Sequence, residues 1–324
     1  QVLRTSIALS ALTLKPIKII NIRKNRQNPG LQAQHLTGVK TAAEFTNADV
    51  KGLELHSTEL EFIPKSHNIK SREIDIGTAG SIGLLLQTLT PLLIFADKEI
   101  TLDIIGGTAG LGAPTIQYMQ HVTFPMLNKF GVAMPEIEII REGFYPRGQG
   151  HVKITFKPVE KLKPVSLLER GEIKSIRGVS VVGSLPEDVA KRQANSAKKT
   201  LVENNFHDAQ IEKKVTDTAS PGTSITLWAD CENSVIGADN IGRLGKRAEI
   251  VGEEAALDLI KSLESGAVDK WMSDQIIPFL ALAKGTSEVR MEEITDHCGT
   301  NMLVTEQILG IKFDINEKEG VIKT

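Results

Sequence analysis

Apolar positions along the chain follow two spacings, one near the helical repeat and one alternating, and these succeed each other in a recurring order. Residues 1–12 place Val2, Leu3, Ile7, Leu9 and Leu12 at helix-like intervals. Ile17 to Ile22 alternates as a strand after Pro16, Arg23–Gly30 is a basic turn, and Leu31 to Asn47 predicts a helix with Leu31, His35, Val39 and Ala42 near one face. Strands are expected near Leu53–His56 and Leu60–Ile63. The order then returns. Asp75–Gly80 leads into a helix from Ser81 to Phe95, Ile100 to Ile105 is a strand, and Gly106–Pro114 is a glycine-rich turn before a helix from Thr115 to Phe130. Strands at Glu136–Arg141 and His151–Phe156 are joined by the turn Gly143–Gly150. A third copy comprises a helix Trp271–Ala283, a strand Ser287–Ile294, a helix beginning near Thr300 and ending at Leu309, and a strand Ile311–Ile315.

The two helices of each copy start about 30 residues apart, near residues 1 and 31, 81 and 115, 271 and 300, so the repeat is one of pattern rather than of wording. Residues 175–268 break it. They predict a strand Ile176–Val182, a charged helix Pro186–Asn204, strands Ile211–Val215 and Ser224–Ala229, a glycine-rich loop Asn233–Arg247 whose opening could continue the strand, and a helix Ala248–Leu263. The expected fold class is α/β (α+β). Residues 1–174 and 269–324 form one large body of repeated two-helix units with small sheets, and 175–268 form a small α/β domain inserted into the third unit.

Composition narrows the function classes. Thirty-eight basic against 40 acidic residues give a net charge of -2, which excludes a strongly basic nucleic-acid coat but leaves room for a local basic groove. Two cysteines, Cys231 and Cys298, make neither a disulfide framework nor a cysteine metal cluster and point to a reducing, cytoplasmic setting. No apolar run has membrane length. Aromatics are 4% of the chain, too few for a broad base-stacking platform. The chain opens directly in a helix pattern without an initiator methionine, so the natural protein is expected to begin earlier.

Candidate chemistry gathers where strands give way to helices. His297, in Thr295-Asp-His-Cys-Gly299, is set beside the free N–H groups of a helix N-terminus, a place that favours anions, and an imidazole there can act as a nucleophile. A lone histidine at such a junction is otherwise a solvated or capping residue. Arg4, Lys24 and Arg26 are basic residues next to a helix and a turn that could grip phosphates, or could form a solvated charged turn. His35 lies one turn into a helix, near its apolar stripe. Asp75–Gly80 and Gly106–Pro114 occupy equivalent points of their copies and offer close backbone approach, but lack a P-loop lysine and dinucleotide spacing. Arg147, in a tight glycine hairpin, could face a phosphate. Asp274 and Gln275 sit early in a helix, as dipole-favoured residues or as supports for His297 or a metal. No zinc, paired-cysteine or EF-hand pattern exists.

The segments QVLRTSIALS, PGLQAQHLTGVKTAA, DIGTAGSIGLLLQTLTPLL, GGTAGLGAP, GFYPRGQG, SDQIIPFLALA and ITDHCGTNMLVTEQILG together resemble the RNA 3'-terminal phosphate cyclase family, in order over nearly the whole chain and most weakly across 175–268. The resemblance implies three units of two helices and a four-stranded sheet, the third interrupted by a small domain. It implies that His297 attacks the ATP α-phosphate, that AMP passes to an RNA 3'-phosphate, and that the vicinal 2'-hydroxyl closes a 2',3'-cyclic phosphate. By the same resemblance Arg4, Arg23 or Arg26, and His35 lie in or beside the phosphate-handling cleft, with Arg147 a further substrate-binding or supporting candidate. Gln87, Pro114, Asp274 and Gln275 lie near the nucleotide. A divalent cation (Mg or Mn) accompanies ATP, with Asp274 as a candidate ligand. The family's metal-binding glutamate would precede Gln1 and is absent from this chain. Ala109 stands where the family often has an acidic residue, and Gln149 where a glycine is common. The main alternative is a cyclase-like ribosome-assembly protein that binds RNA or protein without chemistry, although such relatives lack the histidine. An enolpyruvyl transferase built of related units fits the quoted segments poorly.

Overall fold

The computed structural model describes residues 1–324, and the order of elements follows the two spacings. In chain order these are α1 (Val2–Thr13), β1 (Ile17–Ile19), α2 (Ala33–Thr46), β2 (Asp49–Lys51) and β3 (Leu60–Ile63), then β4 (Arg72–Asp75), α3 (Ile82–Leu93) and β5 (Ile100–Gly106). Next come α4 (Ile116–Tyr118), a π-helical turn Met119–Thr123, α5 (Phe124–Lys129), β6 (Glu136–Arg141), β7 (Gly150–Phe156) and β8 (Ser166–Leu167). The central stretch holds β9 (Ile173–Gly183), α6 (Glu187–Glu203), β10 (Gln210–Thr216), β11 (Gly222–Cys231), β12 (Val235–Ile241) and α7 (Ala248–Ser265). The chain closes with α8 (Lys270–Gln275), α9 (Ile277–Leu282), β13 (Glu288–Arg290), α10 (Asp296–Leu309), β14 (Asp314–Asn316) and β15 (Val321–Lys323).

The result is a mixed α/β fold with four small sheets. Three have related strand orders, β1-β3-β2, β4-β5-β7-β6 and β14-β15-β13-β8, and in the latter two an extra edge strand runs parallel to its neighbour. The helices pack between these sheets. α1 is deeply enclosed: Leu3 and every residue from Thr5 to Ala11 are buried, and the helix touches α2, α3 and α10. Burial on all sides explains its small, mostly apolar side chains. Its first turn, which carries Arg4, therefore opens where three helix ends meet.

The stretch Ile173–Ser265 has its own four-stranded sheet, β10-β9-β11-β12, with α6 and α7 on one face around a separate core that includes Ile225, Leu227, Val251 and Leu259. The opposite face turns to the rest of the chain. Trp228 there stacks on His121 with ring centroids 4.0 Å apart, and Trp228 and Val235 join the main core.

Several boundaries differ from the sequence pattern for local reasons. Leu53–His56 is not a strand. It loops back so that the His56 N–H donates to the Leu31 carbonyl, and Gly30, at φ 75°, lies against the His56 backbone, where a side chain would collide. The opening half of the Asn233–Arg247 stretch is strand β12, the alternative its sequence left open. The helix expected over Trp271–Ala283 breaks at Ile276, and that over Thr115–Phe130 contains the π-helical turn. Most relevant to the site, the strand predicted to reach Ile294 ends at Arg290, and the last helix starts at Asp296 rather than near Thr300, because Thr295 caps it.

Candidate active site

His297 lies within the first turn of α10, not ahead of it. The Thr295 hydroxyl accepts the Cys298 N–H at 3.2 Å, and the Cys298 side chain is buried, so the turn is held from both sides while the His297 ring stays exposed. One turn on, Asn301 is fully buried. Its amide donates to the Asp274 carbonyl at 2.6 Å, and its oxygen accepts from Thr5 at 2.7 Å. One side chain thus joins α10, α8 and α1. Asn301→Ala is expected to lower stability by about 2–4 kcal/mol, because two buried groups lose their only partner. Chemical denaturation of the two proteins measures it.

Asp274 is mostly buried and accepts from the Gln275 amide at 2.6 Å. Burial raises its pKa, opposed by that bond and by the positive fields of His297 and Arg4. No hydrogen bond joins Asp274 to His297; they act on each other through space. Arg4 donates through Nη2 to the Gln1 side chain, while its buried Nε has no partner. Burial lowers the Arg4 pKa and the Asp274 carboxylate opposes the shift. An arginine so placed keeps its charge.

Arg4, Gln87, Asp274 and Gln275 share the wall of a narrow, partly open cavity. Four buried polar atoms on that wall lack a partner: Arg4 Nε, Gln87 Oε1, Thr90 Oγ1 and Thr123 Oγ1. Each such orphan costs about 1–3 kcal/mol unless water or a ligand satisfies it, so the wall suits a polar occupant. Thr123 ends the π-helical turn, a feature that often marks function. Trp271 stands on α8 three and four residues before Asp274 and Gln275. It is 50% exposed, with the Lys270 ammonium 4.9 Å from its ring centre.

Arg4 also lines a second, smaller cavity, with Gln34, His35 and Thr88. His35 Nδ1 accepts the Gln32 N–H at 3.1 Å, which leaves the proton of the neutral ring on Nε2. Burial, then the charges of Arg23 and Arg4, push the His35 pKa down to about 4. The depressed value has a consequence for stability. The unfolded histidine, with a pKa of 6.5, takes a proton first, so the neutral ring stabilises the fold fully above pH 6.5. That contribution is lost as pH falls through about 4. Nitrogen-15 NMR is expected to find His35 neutral at pH 5.5, with Nε2 protonated; a titration midpoint above pH 6 would contradict the geometry.

The remaining sequence candidates divide. Arg23 donates to the Asn28 and Gly30 carbonyls at 2.7 and 3.3 Å, so it shapes the basic turn as well as charging it, and Arg26 is exposed on the same turn. Pro114, like His297, lies on neither cavity wall. It packs on the start of α3, where its carbonyl oxygen stands 2.7 Å from the site of a Cβ on Gly83. Arg147 is exposed on a hairpin whose Gly148 presses on the Thr78–Ala79 backbone, and its N–H donates to Ser220 at 3.1 Å, away from both cavity walls. Sequence reading missed Asn301, Thr90, Thr123 and Trp271. Trp271 alone carried a signal, as an aromatic one helical turn before two candidate residues.

As for a metal, Asp274 is the one carboxylate on the larger cavity wall, and no three His, Cys, Asp or Glu side chains converge in the chain. These residues alone do not form a divalent-ion site.

A family model described as RNA 3'-terminal phosphate cyclase matches residues 1–315. Three proteins of that description are similar over nearly their full length. The one from Pyrobaculum aerophilum is 46% identical over 99% of this chain and 92% of its own. The one from Caldivirga maquilingensis is 45% identical over 97% and 90%. The one from Ignicoccus hospitalis is 44% identical over 95% and 89%.

Proposed function

The chain belongs to the RNA 3'-terminal phosphate cyclase family, and on that premise we propose that it converts an RNA 3'-terminal phosphate to a 2',3'-cyclic phosphate at the expense of ATP, through AMP carried on His297. The observation that carries this reading is the position of Arg4. One guanidinium lines both cavities, with Asp274 and the orphan acceptors and donors on one side and His35 on the other. That is the arrangement needed to pass an adenylyl group from a nucleotide to a second phosphate.

The steps follow from the chemistry of phosphates. A phosphate monoester resists attack because oxide is a poor leaving group. A neutral His297 nitrogen attacks the α-phosphorus of ATP, a P–N bond forms, and the bond to the β-phosphate oxygen breaks to release pyrophosphate. A 3'-phosphate oxygen of the RNA then attacks the same phosphorus, the P–N bond breaks, and the imidazole is regenerated. The RNA now ends in a phosphoanhydride. Its 2'-oxygen, held next to the terminal phosphorus, loses its proton and displaces AMP, closing the ring.

Arg4 faces developing charge in both transfers, and the free N–H groups at the start of α10 face it at His297. His35 Nε2–H and Arg23 supply donors for the incoming 3'-phosphate. Gln87, Thr90 and Thr123 fill their open valences on the nucleotide, and Trp271 offers a flat apolar face to its base. Arg26 and Arg147 extend the positive surface toward the RNA. A divalent ion would find Asp274 as the one carboxylate on this wall and would offset charge on the triphosphate.

Incubating the full-length protein with ATP labelled on the α- or the γ-phosphate tests this reading. Label from the α position alone should remain on the protein, stable to base and released by acid. Absence of label under conditions where the protein binds ATP would move the reading to a non-catalytic RNA-binding member of the family.

A further inference from the structure

The inserted domain reaches the nucleotide side of the molecule through two buried carboxylates. Asp269 is fully buried just before α8. Its Oδ1 accepts the Trp271 and Met272 N–H groups at 3.0 and 2.9 Å and the Tyr118 hydroxyl at 2.6 Å. Its Oδ2 accepts the Gly237 N–H, from β12 of the insert, at 3.0 Å. The insert can come this close only because residue 237 is glycine. A Cβ there would stand 2.3 Å from Val122 and 3.1 Å from the Tyr118 ring. Two residues along the same strand, Asp239 Oδ2 accepts the Thr115 N–H at 2.8 Å, and the Thr115 hydroxyl bonds Thr226 of β11. Thr115 in turn caps α4, which leads into the π-helical turn that holds Thr123.

We propose that Asp269 is a positioning residue through which the inserted domain sets the nucleotide wall. It holds α8, with Trp271, Asp274 and Gln275, in fixed register against Tyr118 and β12. This rests on the reading of the larger cavity as the nucleotide site. A carboxylate with four donors around it has no donor of its own to misplace, so the cap, the tyrosine and the insert strand are locked to one another. Asparagine has nearly the same shape but must turn its amide group toward either Gly237 or the α8 N–H groups, donor against donor. Tyr118→Phe removes one of the four bonds and leaves the packing.

The test separates position from folding by measuring His297 adenylylation across ATP concentrations. Asp269→Asn is expected to raise the ATP concentration for half-maximal rate about tenfold, with the rate at saturation within about threefold of the parent. Tyr118→Phe is expected to raise it about threefold, and both variants, once adenylylated, should pass AMP to RNA at the parental rate. If Asp269 serves only the stability of the fold, the amount of active protein falls while the half-maximal concentration stays put, and that result overturns the proposal. Should Asp269→Asn not fold, an unchanged half-maximal concentration in Tyr118→Phe overturns it equally. Failure of the parent protein to adenylylate would instead contradict the proposed function, so the two readings fall to different observations.

Discussion

Replacing His297 with alanine is expected to reduce RNA cyclisation by on the order of 10⁴-fold or more, because no neighbouring group can take over a covalent role. Thermal unfolding should change little. The ring is exposed, and the turn that carries it is held by Thr295 and the buried Cys298 instead. Neither cap nor anchor depends on the imidazole. The expected signature is therefore a folded protein that binds ATP, yields no pyrophosphate and leaves 3'-phosphorylated RNA unchanged. Pyrophosphate release at the parental rate from His297→Ala would move the nucleophile elsewhere, away from the histidine whose field acts on Asp274.

Arg4→Ala is expected to slow both half-reactions, each by about 10²–10³-fold, the usual loss when one charged donor to a developing oxyanion is removed. His35→Ala, by contrast, should slow transfer to RNA and leave adenylylation of His297 nearly intact, since His35 lines only the smaller cavity. Arg4→Lys should recover little, because a compact ammonium cannot present the fork of donors that faces two cavities from one stem. The two half-reactions can be followed separately, by label uptake from ATP and by label transfer from isolated adenylylated protein. A defect of Arg4→Ala confined to one of them would show that the guanidinium serves one cavity only.

Much of this site was legible in the chain before its structure, for physical reasons that can be named. The alternation and helical spacing of apolar residues mark the elements. The helix that carries His297 ends at Leu309, where its apolar pattern ends, with Gly310 as a left-handed stop. That helix was nevertheless placed to start four residues late, because Asp-His-Cys-Gly looks like a loop until the Thr295 cap and the burial of Cys298 are taken together. The turn Leu53–His56 has strand-like composition and is diverted by a contact with Gly30, which no local window contains. Arg4, His35, Asp274 and Gln275 could be singled out by charge and by resemblance. Their convergence depends on α1 being enclosed by α2, α3 and α10, a matter of packing. Asn301, Thr90 and Thr123 look like ordinary helix residues in the sequence, and only their burial and their partners, or lack of them, set them apart. Pro114, singled out by resemblance, packs against Gly83 at the start of α3, a contact between distant segments that no local window contains.

The central claim is that a single chain carries AMP from one cavity to a phosphate in the other. The most direct measurement takes protein labelled from α-labelled ATP, freed of nucleotide, and mixes it with RNA ending in a 3'-phosphate. Label should leave the protein, pass through an adenylylated RNA end, and appear as free AMP as a 2',3'-cyclic end forms, with no further ATP. Label that stays on the protein while the RNA remains uncyclised would contradict the account.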